Sequence, residues 1–234
     1  EHISRGEERT IIGAVGDERV FRPNELERLP DVERVVRILN DWKIISREAD
    51  EEDGRIVVRG VIFGGVKRLD ITADTDRAEE ADAVFVDPFY LPARPYEKVD
   101  EQRENLRVRA IVQEISDLQK TGKPVIVRIR DVRQIDEALS AGADILYLGG
   151  SMMNNRTLLD EVGRLNTPVV LCKDKHHRVD DWLMAAEHIA LRGNSHIVLG
   201  EAGTLSFEPE HAYRLDVDAI VRVRKVCRLP VIAN

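Results

Sequence analysis

The sequence predicts an α/β protein: a (β/α)8 TIM-type barrel, with its last unit not covered, behind a small α+β domain. Three observations carry this prediction. Short apolar runs recur at "LDITA", "AVFVD", "PVIVRI", "DILYLG", "PVVLC", "HIVLG" and "LPVIA". Most are separated by amphipathic segments of helix length, and near-continuous apolar strands alternating with helices mean a parallel sheet covered by helices. Seven such runs precede Asn234, so an eighth strand would lie beyond it.

The elements follow in order. "RTIIGAVGD" reads as a strand leading to a turn, and "RPNELERL" as one short helix. "DVERVVRIL" alternates apolar and charged residues, which suits a half-buried strand or a short helix. "IISRE" and the acidic, linker-like "EADEEDGR" come next. This block, residues 1–52, is small and needs a partner surface to be stable. Residues 53–68 read as a linker and entry hairpin, and residues 69–234 as the barrel. "LRVRAIVQEISDLQKTG" carries apolar residues at helical spacing and closes on Gly122. "DVRQIDEALSAG" opens with Asp131 in the N-cap position and ends at Gly142. "RTLLDEVGRL", "VDDWLMAAEHIALRG" and "DVDAIVRVRKVC" repeat the scheme. A first residue other than Met, and a stop directly after an apolar strand, suggest a sequence cut at each end.

Composition narrows the function classes. The 234 residues are 43% hydrophobic and 33% charged, without a low-complexity tract. Apolar runs of only a few residues exclude a membrane-spanning helix. The polar opening "EHISRGEERT" lacks a signal-peptide pattern. Cys172 and Cys227 lie in or just after apolar segments, as buried thiols of a cytoplasmic protein do. A net charge of −8 argues against general nucleic-acid binding, because counterion release needs a basic surface. No Cys/His spacing resembles a zinc site, and no serine lies in an elbow motif. His188, His196 and His211 are isolated and read as structural.

In such a barrel, chemistry sits at the C-terminal ends of the strands. Those ends carry Asp74, Asp87, Arg128, Arg130, Gly149 to Ser151, Cys172 to His177, Gly200 to Gly203, and Asn234. Arg128 and Arg130, two apart on one strand, point to the same face. A cation buried in a barrel needs a partner. Asp74, Asp76, Asp87 or Glu201 would neutralise the pair structurally; alternatively, the pair forms a site for a small anion. Lys173, Lys175, His176 and His177 would bind an anion at the barrel mouth, or belong to a solvated loop. Cys172 is either a thiol activated by nearby lysines or a buried apolar filler.

The residues also resemble a known family. "HISRGEERTIIGAVGDERV", "VERVVRIL" and "KIISRE" are similar to the ferredoxin-like N-terminal domain of short bacterial and archaeal 3-deoxy-7-phosphoheptulonate (DAHP) synthases. "ADILYLGGSMMNNRTLLDEVGRLNTPVVLCKD" resembles that family's fourth and fifth strand units. "DDWLMAAEHIALRGNSHIVLGEAGTLSFE" and "LDVDAIVRVRKVCRLPVI" resemble the sixth and seventh. The likeness is weakest between Val66 and Gln113, where the first barrel helix reads as reduced to a short turn. It implies a barrel that condenses phosphoenolpyruvate with erythrose 4-phosphate, the entry step to the aromatic amino acids through the shikimate pathway. It also implies a divalent metal acting as a Lewis acid, and feedback by tyrosine or phenylalanine through the N-terminal domain. His2 and Ser4 match the family's His-Ile-Ser and carry either a structural or an effector role.

Position by position, the family's equipment is altered. Its Gly-Pro-Cys-Ser reads "TADTD", without a thiol. Its Lys-Pro-Arg-Thr-Ser reads "LPARPY", with Leu91 for the Lys. Gly-Ala-Arg becomes Gly149-Gly150-Ser151, keeping two backbone N–H groups but not the guanidinium. Lys-Arg-Gly becomes Cys172-Lys173-Asp174, Glu-Arg-Gly becomes Glu201-Ala202-Gly203, and Asn234 stands at an Asp position. Arg128 replaces a family acidic residue. Two phosphorylated substrates need several fixed cations, and each charge-assisted contact removed costs roughly 1.5–3 kcal/mol.

The resemblance therefore implies a family member without the family reaction, a pseudoenzyme serving as a regulatory or interaction paralogue. It would act as a homo-oligomer or paired with a competent synthase, with an aromatic amino acid as effector. The alternatives are an active enzyme with remodelled small-anion or sugar-phosphate chemistry, and a weak synthase completed beyond Asn234. Gly149, Gly150, Lys173, Glu201, Arg128 and Arg130 are the anion-binding candidates. No catalytic residue or metal ligand is assigned, and a Mn/Mg-type ion enters only if the family activity is retained.

Overall fold

Strands rich in valine, isoleucine and leucine on both faces are stable only where both faces are covered. The structure, a computed structural model, describes residues 2–5, 10–13, 22–36, 40–90, 101–208, 210 and 213–233. Its N-terminal part contains an antiparallel pair, β1 (His2–Arg5) and β2 (Thr10–Gly13), and a single-turn helix, α1 (Pro23–Leu26). The "DVERVVRIL" segment departs from expectation: residues 31–36 are neither strand nor helix, and 37–39 lie outside the described residues. An alternating pattern without a strand partner has no ladder to join.

A hairpin follows, β3 (Ile56–Val58) and β4 (Val61–Phe63). Its two turn residues, Arg59 (φ 48°) and Gly60 (φ 81°), are both left-handed, as a tight hairpin with the twist of its strands requires. Arg59 is held there by Asp144, whose two carboxylate oxygens both lie 2.8 Å from its Nε.

Next come β5 (Ile71–Thr72), a 3₁₀ turn at Thr75–Arg77, β6 (Ala83–Val86), α2 (Glu101–Gln119), β7 (Val125–Ile129) and α3 (Arg133–Ala141). Then follow β8 (Ile145–Leu148), a 3₁₀ turn at Gly150–Met152, α4 (Arg156–Gly163), β9 (Val169–Cys172), α5 (Val179–Leu191) and β10 (Ile197–Glu201). A small hairpin of β11 (Thr204–Leu205) and β12 (Tyr213–Arg214), then α6 (Val217–Val226) and β13 (Val231–Ala233), complete the order. The 3₁₀ turn after β5 stands where a full helix would cross back. Asp131 is not the N-cap of α3: its Oδ1 accepts the Arg133 N–H at 2.9 Å and Val132 takes the cap position.

Seven strands form one parallel sheet in the order β13-β10-β9-β8-β7-β6-β5. Neighbours in the sheet are neighbours in the chain, so the crossovers run one way and place the helices on one face. The sheet curls as part of a barrel, giving two apolar clusters. Val125, Val127, Leu146, Leu148, Val169, Leu171, Ile197 and Leu199 pack under the helices. Ala83, Ile126, Ile145, Tyr147, Val170, Cys172 and Val198 line the concave face, where Ile56, Val58 and Phe63 of the β3–β4 hairpin plug the floor.

Two polar clamps fasten α5, one to the N-terminal block and one to α4. Glu187 of α5 accepts backbone N–H groups of Lys43, Ile44 and Ile45 at 2.8–3.2 Å, tying the last part of the N-terminal block to the barrel. Asp160 of α4 lies 2.8 Å from His188 Nε2 and 2.5 Å from Arg192 Nε. The Arg192 hydrogen bond, aided by His188, holds the Asp160 carboxyl below its ordinary 3.8. A depressed carboxyl contributes stability above its unfolded pKa and loses it as pH falls through the folded one. The Tm gap between wild type and Asp160→Asn at pH 7 should therefore close below about pH 4. A gap of unchanged size in acid would contradict the clamp.

Candidate functional site

Alternation along each strand decides which side chains reach the barrel mouth. Phe85 and Asp87, Arg128 and Arg130, Tyr147 and Gly149, and Cys172 share the parity of the concave cluster. Asp87 stands between the two arginines. Arg130 Nη1 and Nη2 donate to its two oxygens at 2.5 Å each, a planar fork matched to a carboxylate. That contact raises the already high pKa of Arg130. Gln134 Oε1 accepts the Arg130 N–H at 2.8 Å, and the guanidinium lies 5.7 Å over the Tyr90 ring.

Arg128 is held more loosely. Its Nη1 is 3.5 Å from Asp87 Oδ2, and its guanidinium lies 5.7 Å over the ring of Tyr147. Its buried Nε has no hydrogen-bond partner among the described residues. A buried polar group left so costs about 1–3 kcal/mol. The absence of a side chain at Gly149 makes room for it: a Cβ there would lie 2.6 Å from Arg128 Nη2. Below, Phe85 and Tyr147 meet edge to face at 4.9 Å and Tyr147 hydrogen-bonds Cys172. Of the four carboxylates offered for the arginines, Asp87 is the partner of both; Asp74 instead caps the first 3₁₀ turn, its Oδ1 accepting the Asp76 N–H at 3.1 Å.

Lys173 takes neither place that the sequence leaves open to it, an anion-binding group at the mouth or part of a solvated loop: it follows Cys172 and so has the opposite parity. Its side chain is 2% exposed and lies on the helix side of the sheet. There Nζ is 3.9 Å from Glu201, which is itself fully buried, and 3.8 Å from Asp216, the N-cap of α6. Glu201 also turns away from the mouth, and its carboxylate accepts the Gly203 N–H at 2.8 Å. The pair fastens the ends of β9 and β10 to α6.

The rest of the opening loop is held by local contacts. Lys175 Nζ lies 3.1 Å over the Tyr213 ring, and Asp174 lies 3.5 Å from His177 Nδ1. His177 Nε2 is 2.8 Å from Asn154, while His176 is exposed. Gly150 packs onto this loop so closely that a Cβ would lie 2.5 Å from the Lys173 carbonyl oxygen. Its backbone therefore faces the loop. Ser151 is exposed and Ala202 is half-buried against the concave cluster. Leu91 and Asn234 lie outside the described residues, as does His211; His2 and Ser4 fall on β1, with their side chains outside the described part.

Cys172 is 0% exposed, and burial pushes its thiol up to about 12, with the Tyr147 hydrogen bond acting against it. Burial likewise pushes Cys227 up to about 11. A nucleophilic cysteine needs the thiolate. Neither thiol should react with Ellman's reagent at pH 8 in the native protein, and both should react in denaturant. Stoichiometric labelling of either in the folded state would overturn the inert assignment.

Among the described residues no group of three or more His, Cys, Asp and Glu side chains could hold a metal ion. Nor is any described helix long and apolar enough to cross a membrane. Sequence reasoning missed Phe85, Tyr147, Asp216 and Glu187. The first two read as ordinary strand core; the signal for Glu187 was a carboxylate inside the apolar run "LMAAEHIA".

Comparison with known proteins adds to this geometry. Residues 1–40 match a family model described as the DAHP synthase ferredoxin-like domain, and residues 100–234 one described as the DAHP synthetase I family. The chain is 30% identical over 247 aligned positions to the phospho-2-dehydro-3-deoxyheptonate aldolase of Thermotoga maritima, covering 100% of this chain and 71% of that protein. A crystal structure of the Thermotoga maritima enzyme superposes with a TM-score of 0.71 at 27% identity, covering 99% of this chain and 70% of that one. A truncated form of the Thermotoga maritima synthase gives a TM-score of 0.62 at 24% identity, covering 81% of this chain and 72% of that one, and speaks for the fold alone.

Proposed function

The chain belongs to the DAHP synthetase I family, and from that premise we propose that it is a copy without the family condensation, acting as a regulatory or interaction paralogue. One observation carries the reading. Most of the charge at the described strand ends is already engaged: Arg130 takes both oxygens of Asp87, Lys173 is enclosed by Glu201 and Asp216, and Arg128 alone keeps part of its fork beside a single looser contact to Asp87. Holding phosphoenolpyruvate and erythrose 4-phosphate together calls for several cations free to face phosphate oxygens. Ser151 and Ala202, where the family pattern has arginines, supply none.

The family is typically metal-dependent, and among the described residues no group of three or more His, Cys, Asp and Glu side chains could hold the ion. The thiol position after the first barrel strand falls in "TADTD". Its carboxylates, Asp74 and Asp76, are exposed on a turn whose Asp74 oxygen already accepts a backbone N–H. Two exposed carboxylates on a solvated turn do not by themselves supply the several convergent ligands that a divalent ion needs.

A paralogue of this kind would work by contact, as a homo-oligomer or beside a competent synthase, and tyrosine or phenylalanine is the natural effector to test. The protein assayed with phosphoenolpyruvate, erythrose 4-phosphate and Mn2+ should show no turnover above background. Clear turnover would refute the reading. Thermal stabilisation by tyrosine or phenylalanine that persists in Arg128→Met would support the regulatory role.

A further inference from the structure

The two arginines at the mouth outnumber, among the described residues, the carboxylates that pair with them. Among the described residues, Arg128 and Arg130 have one carboxylate between them. Arg130 takes both oxygens of Asp87 at 2.5 Å, leaving Arg128 one contact at 3.5 Å and an Nε with no acceptor. Asp174, on the neighbouring loop, lies 3.5 Å from His177 Nδ1 rather than against Arg128. The surplus among these described ion pairs is one positive charge on a planar fork. That fork is half-buried, stacked over Tyr147 and edged by the bare backbone of Gly149. Beneath it lie the half-buried Phe85 and, edge to face with it, the ring of Tyr147, 4% exposed, with Cys172 buried below.

Such a place selects by charge and by shape. A phosphate dianion would bring two negative charges to one surplus cation, beside the carboxylate of Asp87. A single carboxylate balances the surplus and fits the guanidinium fork. Its remaining body would meet aromatic edges rather than further cations. We propose that the mouth binds a monoanionic carboxylate carried on an apolar or aromatic body, with Arg128 as anchor and Phe85 and Tyr147 as the floor. This rests on the reading that the mouth does not hold two phosphorylated substrates.

The test is calorimetric titration of the protein with 3-phenylpropionate, acetate, inorganic phosphate and phosphoenolpyruvate. 3-Phenylpropionate should bind with saturation, and more tightly than acetate; phosphate and phosphoenolpyruvate should neither bind as well nor displace it. Arg128→Met, close in volume, should weaken 3-phenylpropionate by roughly tenfold or more, the loss expected for one charge-assisted fork. Asp87→Asn should release Arg130, raise the surplus to two charges and make phosphate the better ligand. Circular dichroism checks each variant, and Arg128→Lys serves if the Met variant does not fold, since a point charge keeps attraction but loses the fork. Three results overturn the proposal: no saturation with 3-phenylpropionate, equal affinity in the Arg128 variant, or preference of the wild type for phosphate. Turnover of phosphoenolpyruvate with erythrose 4-phosphate would instead sink the functional reading beneath it, so the two failures are separable.

Discussion

Glu187→Ala should lower the unfolding free energy by roughly 3–5 kcal/mol. The carboxylate is 4% exposed and accepts N–H groups from Lys43 at 2.8 Å, Ile44 at 2.9 and 3.1 Å, and Ile45 at 3.2 Å. Truncation leaves this cluster of backbone donors without its acceptor in a region walled by Trp42, Ile44 and Ile45. Each buried donor so stranded costs about 1–3 kcal/mol. Glu187→Gln keeps one acceptor oxygen and should cost less, about 1–2 kcal/mol. Urea unfolding at pH 7 gives the values, and amide exchange at Ile44 and Ile45 should quicken selectively in both variants. A loss below about 1 kcal/mol for the alanine variant would mean that the segment is held by its apolar contacts alone.

Trp182→Ala should cost a comparable 3–5 kcal/mol or so, for a different reason. Trp182 is fully buried in α5, and its Nε1 donates to the Leu171 carbonyl at 2.9 Å. Removing the indole leaves a large cavity between α5 and β9 and deprives that carbonyl of a partner. Trp182→Phe fills most of the space but not the hydrogen bond, so about 1–2 kcal/mol should be lost. Leu171 precedes Cys172, so the shift should also be felt at the mouth: Cys172 should label faster in Trp182→Ala than in wild type. Equal stability of the alanine variant and wild type would remove the indole from the support of β9.

Much of this was legible beforehand. The seven strands, the helices after β6 to β10 and the glycine ends at Gly122 and Gly142 follow from periodicity and turn chemistry, which act over a few residues. The parity of Arg128 and Arg130 followed from the two-residue repeat. The same rule, continued one residue past Cys172, would have sent Lys173 to the helix side; reading a strand end as a loop hid it. The N-terminal block was less legible, because an alternating segment takes the form its partner dictates, and residues 31–36 have no strand partner. The altered family positions at Ser151 and Ala202 were visible as residue types alone.

By itself, the order of residues determined the parallel strand-and-helix sheet and the face each strand turns inward, because those depend on spacing along the chain. Only the tertiary structure decided the electrostatics. Asp87 and Arg130 lie 43 residues apart, and Glu187 and Lys43 lie 144 apart. Coulomb and hydrogen-bond energies change steeply over one ångström. Which carboxylate meets which cation is therefore set by how distant strands come together, and that pairing leaves Arg128 half-engaged and Lys173 shut away from the mouth.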